Sequence, residues 1–126
     1  MKTVLNTPYV HFALNDQLLI ATFKKGLHIN LDAAREIVHS RLEFTENKTV
    51  SVLILNQGVA CMDKEARDYL SSEEGTRNLK AVAMVLRSTF GSMLGNFFLS
   101  VNKPEMPVRI FSNEKPAMKW LYKFIS

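Results

Sequence analysis

Cys61 is the residue of this sequence whose type and position most favour nucleophilic chemistry. It lies just before Asp63 and the predicted start of a helix, and a helix N-terminus favours the thiolate form of a cysteine. A cysteine nucleophile also needs a base within hydrogen-bond reach, and no histidine is close to Cys61 in sequence. His11, His28 and His39 fall on a strand, a loop and a helix, and no two of them have metal-ligand spacing. The pattern favours a structural cysteine and no metal site.

Acidic residues offer a second route to catalysis. Glu73 and Glu74 are adjacent, with Asp68 nearby, but adjacent helix residues point about 100° apart and cannot work as an acid and base on one substrate. The local signatures of hydrolases, nucleotide-binding loops and zinc proteases are also missing from the sequence. We therefore expect a protein that binds rather than catalyses and that needs no cofactor.

The stretch 88–101 is the least ordinary part of the sequence. Its apolar residues recur with helical spacing, and two glycines four positions apart lie on another side. Each glycine weakens a helix by about 1 kcal/mol relative to alanine, so the close approach of another backbone should compensate. Packing on the domain's own sheet is one explanation, and a subunit contact or an apolar ligand groove is the other. The candidate residues for that contact or groove are Phe90, Gly91, Met93, Gly95, Phe97 and Phe98.

Strand-like runs alternate with these helical stretches along the chain. Tyr9–Leu14 and Leu18–Lys24 flank a polar turn and predict an opening hairpin. Val50–Leu55 and Ala81–Leu86 are short and almost wholly apolar, as is typical of strands buried on both faces. Val108–Phe111 predicts a last strand, so every later strand is separated from the next by a helix.

The predicted helices complete the architecture. The first helix presents an apolar stripe from Leu31 to Leu42, the second closes around Gly75, and the third is the stretch 88–101. The candidate N-caps of the first, second and last helices are Asn30, Asp63 and either Ser112 or Asn113. The order β-β-α-β-α-β-α-β-α predicts an α/β domain with a mixed sheet and an antiparallel hairpin at one side.

The composition bounds the class of protein. The 126 residues, 47% hydrophobic and 22% charged, fit one domain spanning residues 1–126. Apolar runs of about six residues are too short for a bilayer span, which needs roughly twenty, so no membrane span is expected. The start of the chain has no signal-peptide pattern, and the lone cysteine fits a reducing compartment, so a cytoplasmic location is expected.

The net charge of +4 comes entirely from the residues after 63. A ridge of Lys115, Lys119 and Lys123 contributes to it, and this ridge is a solvated face or docks onto an acidic protein or lipid headgroups. No Arg-rich cluster and no interleaved aromatic residues accompany the charge, so a nucleic acid partner is not expected.

The segment from Val52 to Asp63, together with the order of elements, resembles the centre of STAS domains, the SpoIIAA-like family of anti-sigma-factor antagonists. In that family a buried strand leads to an Asp, which opens a helix carrying a phosphorylatable Ser or Thr. The resemblance implies a SpoIIAA-like fold and a protein partner whose surface here would be Asp63, Lys64, Glu65 and Arg67. The stretch Glu65–Leu70, and the pair of segments Gly95–Leu99 and Asn102–Pro104, resemble small bacterial proteins grouped as STAS/SEC14-like, which bring no known activity with them.

One departure from the STAS pattern changes what is expected. Where the antagonists have Asp-Ser-Ser-Gly, this chain has Asp63-Lys64-Glu65-Ala66, so the phosphate acceptor is missing and Glu65 supplies a permanent negative charge. We expect a noncatalytic regulatory or scaffolding module that binds an unidentified protein, without a phosphorylation switch, as a homodimer. The alternative, implied by the distant SEC14 likeness, is a carrier of a small apolar molecule or lipid, although the chain looks too short to enclose a lipid.

Overall fold

The computed structural model describes residues 3–56, 61–85 and 106–125. The predicted third helix, residues 88–101, lies outside the described residues. So do the six positions proposed there for a dimer contact or a ligand groove: Phe90, Gly91, Met93, Gly95, Phe97 and Phe98.

A mixed β-sheet forms the centre of the described structure. The strands are β1 (Val4–Asn6), β2 (Val10–Asn15), β3 (Leu18–Phe23), β4 (His28–Ile29), β5 (Val50–Asn56), β6 (Cys61–Met62), β7 (Leu79–Val85) and β8 (Val108–Phe111). The order in the main sheet is β1-β2-β3-β5-β7-β8, and β4 pairs separately with β6. The first three strands are antiparallel and the remaining pairs are parallel. The predicted α/β class and mixed sheet are confirmed.

The opening hairpin of β2 and β3 is also confirmed, with Asn15 paired to Leu18 across the turn. Asp16 in that turn has φ of +55°, a left-handed conformation that Asp tolerates better than most residues. The edge strand β1 was not predicted. Three residues are too few to show a periodic pattern, and Val4 leaves 53% of its surface exposed.

Three helices lie in the described part of the chain: α1 (Leu31–Phe44), α2 (Lys64–Leu70) and α3 (Glu114–Leu121). A 3₁₀ turn, Tyr122–Phe124, follows α3. None of these helices has the length and apolar character to cross a membrane. Pro116 lies in the first turn of α3, where its missing N–H is not needed.

The predicted end of α2 at Gly75 is wrong. The helix stops at Leu70, and the chain continues in turns to residue 78. The hydroxyl of Ser71 donates to the carbonyl of Arg67 at 3.0 Å, and that of Ser72 donates to the carbonyl of Tyr69. Serine side chains that bond to nearby carbonyls in this way compete with continued helix, which explains the early end.

The sheet is covered on both faces. Residues of β5 alternate, so Val52 (3% exposed) points to the layer of α1 and α2, while Leu53 (fully buried) points to α3. On the α3 side, Leu53 packs with Ala117 and Leu121, both fully buried. The prediction that β5 lies inside the sheet and is buried on both faces is confirmed.

Candidate functional site

A cavity of about 100 Å³ lies between the sheet and the layer formed by α1 and α2. The sheet contributes residues from β2, β3, β5, β7 and β8, and α1 and α2 contribute residues from the opposite side. Its described lining is almost wholly apolar and includes Phe12, Ala21, Ile37, Val52, Ile54 and Met84.

The two-residue period of the strands and the 3.6-residue period of the helix direct these side chains to the cavity. Along β5 the period of two sends Val52 and Ile54 to the cavity side. Ala21 lies directly beside Ile54 in the parallel register, and its small side chain leaves room above the sheet. Along α1 the helical period sends Ile37 and Val38 toward the same space.

Arg41 is the charged residue of the described lining, and it is only 5% exposed. Its Nη2 donates to the carbonyl oxygen of Gly75 at 3.3 Å, the long end of the hydrogen-bond range. Within the described residues its Nη1 is buried and has no hydrogen-bond partner. Burial lowers the pKa of Arg41 below its ordinary range, to about 10, and the interaction with Tyr69 acts in the opposite direction.

No carboxylate balances this charge inside the described part of the cavity. The other polar side chains of the described lining are neutral, those of Asn56 and Thr76. Glu74 is exposed and interacts with Tyr69. The pKa of Tyr69 is raised mainly by burial and, second, by the negative charge of Glu74. A guanidinium in an apolar space without an anion is the arrangement that an anionic or strongly accepting ligand would complete.

Arg41 was not among the predicted site residues. The sequence-based stripe of α1 ended on Leu42, but the structure buries Arg41 and leaves Leu42 only partly buried. Arg41 follows Ile37 by four residues and Ala34 by seven, so helical spacing does place it on the buried face. A stripe defined by apolar residue types alone overlooks a charged residue in that position.

The predicted partner surface is partly assembled. Asp63, Lys64 and Glu65 are exposed neighbours at the start of α2. Arg67 is half-buried, and its Nη1 donates to the carbonyl oxygen of Met62 at 2.8 Å. Lys64 Nζ lies 2.9 Å from Asp68 Oδ2, an exposed pair one helical turn apart.

The predicted capping role of Asp63 is wrong in its detail. Asp63 does stand at the N-cap position of α2, but its side chain makes no capping hydrogen bond. Its Oδ1 instead lies 2.6 Å from Nε2 of His28, which joins the start of α2 to β4. A histidine partner from a distant strand competes for the carboxylate that would otherwise accept from the first helical N–H groups.

The pairing of β4 with β6 sets His28 beside Cys61, which the linear sequence did not indicate. The two strands have two residues each, too few for a periodic signal. Nε2 of His28 is engaged with Asp63, and both side chains are about half exposed. Within the described ranges, no group of three His, Cys, Asp or Glu residues could hold a metal ion.

Comparison with known protein families gives a match over most of the chain. A family model described as a domain of unknown function, DUF7793, matches residues 12–125. No curated protein and no solved structure matches the chain significantly.

Proposed function

We propose that this chain, which belongs to the DUF7793 domain family, is a noncatalytic binding protein for a small, mostly apolar molecule. The observation that carries this proposal is the apolar cavity between the sheet and the layer of α1 and α2. Of the two functions expected from the sequence, the small-molecule carrier has the more specific structural support.

The energetics of packing support a ligand in this space. Protein interiors are packed as densely as organic crystals, so voids larger than a water molecule are few. Apolar atoms that line such a space lack the van der Waals partners that a packed interior would give them. A ligand that fills the cavity restores those lost contacts and therefore stabilises the folded state.

The volume limits the size of the ligand. An apolar cavity of about 150 Å³ accommodates a benzene molecule, so this one suits a ligand of about four to six non-hydrogen atoms. A whole phospholipid is excluded from a space of this size. Small ligands gain at most about 1.5 kcal/mol per non-hydrogen atom, so a ligand of six such atoms has a dissociation constant no lower than about 0.3 µM.

A cavity-filling variant tests this proposal. Benzene and 1-butanol are titrated to about 10 mM while the methyl resonances of Ile54 and Met84 are followed by NMR. We expect saturable shifts in the natural chain and none in Ala21→Leu, whose larger side chain occupies the cavity. Ala13→Leu is the matched control, because Ala13 lies on the same hairpin but outside the lining.

The proposal is supported if saturable shifts appear in the natural chain and in the Ala13→Leu control and are lost in Ala21→Leu. Absence of saturable shifts in the natural chain, or equal binding by Ala21→Leu, would contradict it.

A protein-binding module is the second candidate, and the exposed run of Asp63, Lys64 and Glu65 supports it. The partner surface would be these three residues with Arg67, without a phosphorylation switch, and the module would be a homodimer. The fold proposal that accompanies it is SpoIIAA-like, supported by an internal strand, β5, that precedes the Asp opening α2. A cytoplasmic location is proposed with it, and the lone Cys61 fits a reducing compartment.

Charge reversal tests the module. Glu65→Lys is compared with Glu114→Lys, since both glutamates are exposed acids in the first turn of a helix. We expect a binding partner isolated with the natural chain to be lost with the first variant and kept with the second. Equal retention by both variants would remove Glu65 from the partner surface, and sedimentation of the natural chain as a monomer would refute the homodimer.

A further inference from the structure

We infer that the ligand of the cavity is a small monocarboxylate, whose carboxylate group accepts hydrogen bonds from Arg41 while its apolar body fills the remaining space. The inference rests on the proposed small-molecule function and names the chemical class of the ligand.

The Arg41 side chain is buried and only partly hydrogen-bonded. Arg41 as a whole residue is 5% exposed, so water solvates its guanidinium poorly. Gly75 offers a neutral carbonyl oxygen at 3.3 Å, which satisfies one donor weakly and leaves the positive charge uncancelled. Nη1 is buried without a hydrogen-bond partner in the described part of the chain, and it belongs to the residue that lines the cavity.

The charge of Arg41 lies on the buried face of α1. The neighbouring buried positions on the same face, Ala34, Ile37 and Val38, are apolar. An apolar residue of similar length at position 41 would pack there without the cost of desolvating a charge. A ligand that carries a negative charge would pair with the guanidinium and offset this desolvation cost, which explains an arginine rather than an apolar residue at position 41.

A monocarboxylate matches the charge of the described lining. The described lining supplies one guanidinium and no carboxylate, lysine or histidine. A carboxylate carries one negative charge and fits the planar fork of arginine through two parallel hydrogen bonds. A phosphate group brings nearly two charges, and the described lining offers no second cation for it.

Pairs of ligands with the same shape test the inference. Butanoate is compared with butanamide, and propanoate with propanamide, by following the resonances of Ile54 and of the Arg41 side chain during titration. In the natural chain we expect each carboxylate to bind at least about tenfold more tightly than its amide. Perturbation of the Arg41 side-chain nitrogens by butanoate is a second readout that needs no variant.

Two arginine variants locate the preference. Arg41→Met keeps the length of the side chain and removes the charge, so we expect the carboxylate to lose its preference and to bind more weakly than the amide, because its charge is then buried without a partner. Arg35→Met is the matched control, because Arg35 is exposed on the same helix, with its guanidinium 5.9 Å from the centre of the Tyr69 ring. The tenfold preference should remain in this control.

The outcomes separate this inference from the function on which it rests. If amides and carboxylates bind the natural chain equally, the monocarboxylate is wrong while the apolar-ligand function stands. If neither binds, and benzene and 1-butanol also fail, the function itself is wrong. Inorganic phosphate that displaces butanoate at comparable concentration would also overturn the monocarboxylate, because it would show an unspecific anion site.

Discussion

Among the individual residues, Arg41 combines burial, charge and an incomplete set of hydrogen bonds. A charge held in an apolar space without an anion destabilises the folded state. We therefore expect Arg41→Met to raise the free energy of unfolding of the ligand-free protein by about 1 to 3 kcal/mol. Urea denaturation monitored by circular dichroism measures the change. A loss of stability in Arg41→Met would mean that the guanidinium already has a strong partner in the fold.

The same residue gives a pH dependence with a defined sign. Burial lowers the pKa of Arg41 to about 10 in the folded chain, below its ordinary value in the unfolded chain, so its charged form is disfavoured by folding. That penalty is constant below about pH 10 and is relieved as the pH rises further, because the unfolded chain then binds more protons than the folded chain. Stability from this residue therefore rises above about pH 10.

The stability difference between Arg41→Met and the natural chain should accordingly narrow above about pH 10, at no more than about 1.4 kcal/mol per pH unit. Urea denaturation of both proteins between about pH 8 and pH 11 tests this, and other titrating groups cancel because the two proteins share them. A difference that stays constant across this range would place the pKa of Arg41 near its ordinary value.

At the scale of single elements, the two asparagines that precede helices make a matched comparison. Asn30 Oδ1 accepts from the backbone N–H of Ala33 at 2.8 Å and caps α1, whereas Asn113 occupies the N-cap position of α3 without a side-chain cap bond. We expect Asn30→Ala to lower the free energy of unfolding by about 1 kcal/mol and Asn113→Ala by less than half of that. Equal losses in chemical denaturation would contradict the cap assignment.

The turn after α2 depends on Gly75. A Cβ atom at this position would lie 2.1 Å from the carbonyl oxygen of Tyr69 and 2.6 Å from that of Leu70, both backbone atoms that cannot move aside alone. Gly75→Ala should therefore lower the free energy of unfolding by about 2 kcal/mol or more, and it should displace the carbonyl that accepts from Arg41.

Gly26→Ala is the control for Gly75→Ala. Gly26 has φ of +77°, and no atom of the described residues lies within 4 Å of the place that a Cβ would take, so only backbone strain of about 1 kcal/mol is expected. Thermal denaturation of both variants measures the difference. A smaller loss at Gly75 than at Gly26 would show that the turn adapts without cost.

The elements that the sequence predicted well are those with a long pattern or a local partner. The strand β5 was recognised because six consecutive apolar or small residues have few alternatives, and Asn30 because its capping partner lies three residues away. Asp63 was assigned the same local role, but its carboxylate bonds to His28, 35 residues earlier. Local spacing carries no information about such a distant competitor.

The candidate site was harder to predict than the fold for the same reason. Val52 and Ile54 were expected to be buried, but a cavity depends on how much space Ala21 and the helices leave between them. Helical spacing places Arg41 on the buried face of α1, yet its charge suggests an exposed residue. Only the packed structure shows that the turns around Gly75 cover its side chain. Periodicity predicts which face of a helix or strand a residue lies on, but it does not predict which residues of other elements it contacts.

Considered as a whole molecule, the described chain has one main sheet shared by two helical layers. The cavity and Arg41 lie in the layer of α1 and α2, and Trp120, the single tryptophan, lies in the layer of α3. Trp120 packs against Phe111 and Phe124, with ring centroids 5.9 and 5.0 Å away. The lysine ridge of Lys115, Lys119 and Lys123 is exposed and belongs to the α3 layer, separate from the cavity.

Because both layers pack on the same strands, they should unfold together. Leu53 is fully buried in β5 on the α3 side, and its replacement by alanine should lower the free energy of unfolding by about 3 kcal/mol. Trp120 fluorescence, which reports the α3 layer, and the methyl resonance of Ile54, which reports the cavity, should shift to the same urea midpoint. Val4→Ala, at a 53% exposed edge position, should change the urea midpoint of either probe little. Separate midpoints for the two probes would mean that the layers fold independently and that the sheet does not couple the cavity to α3.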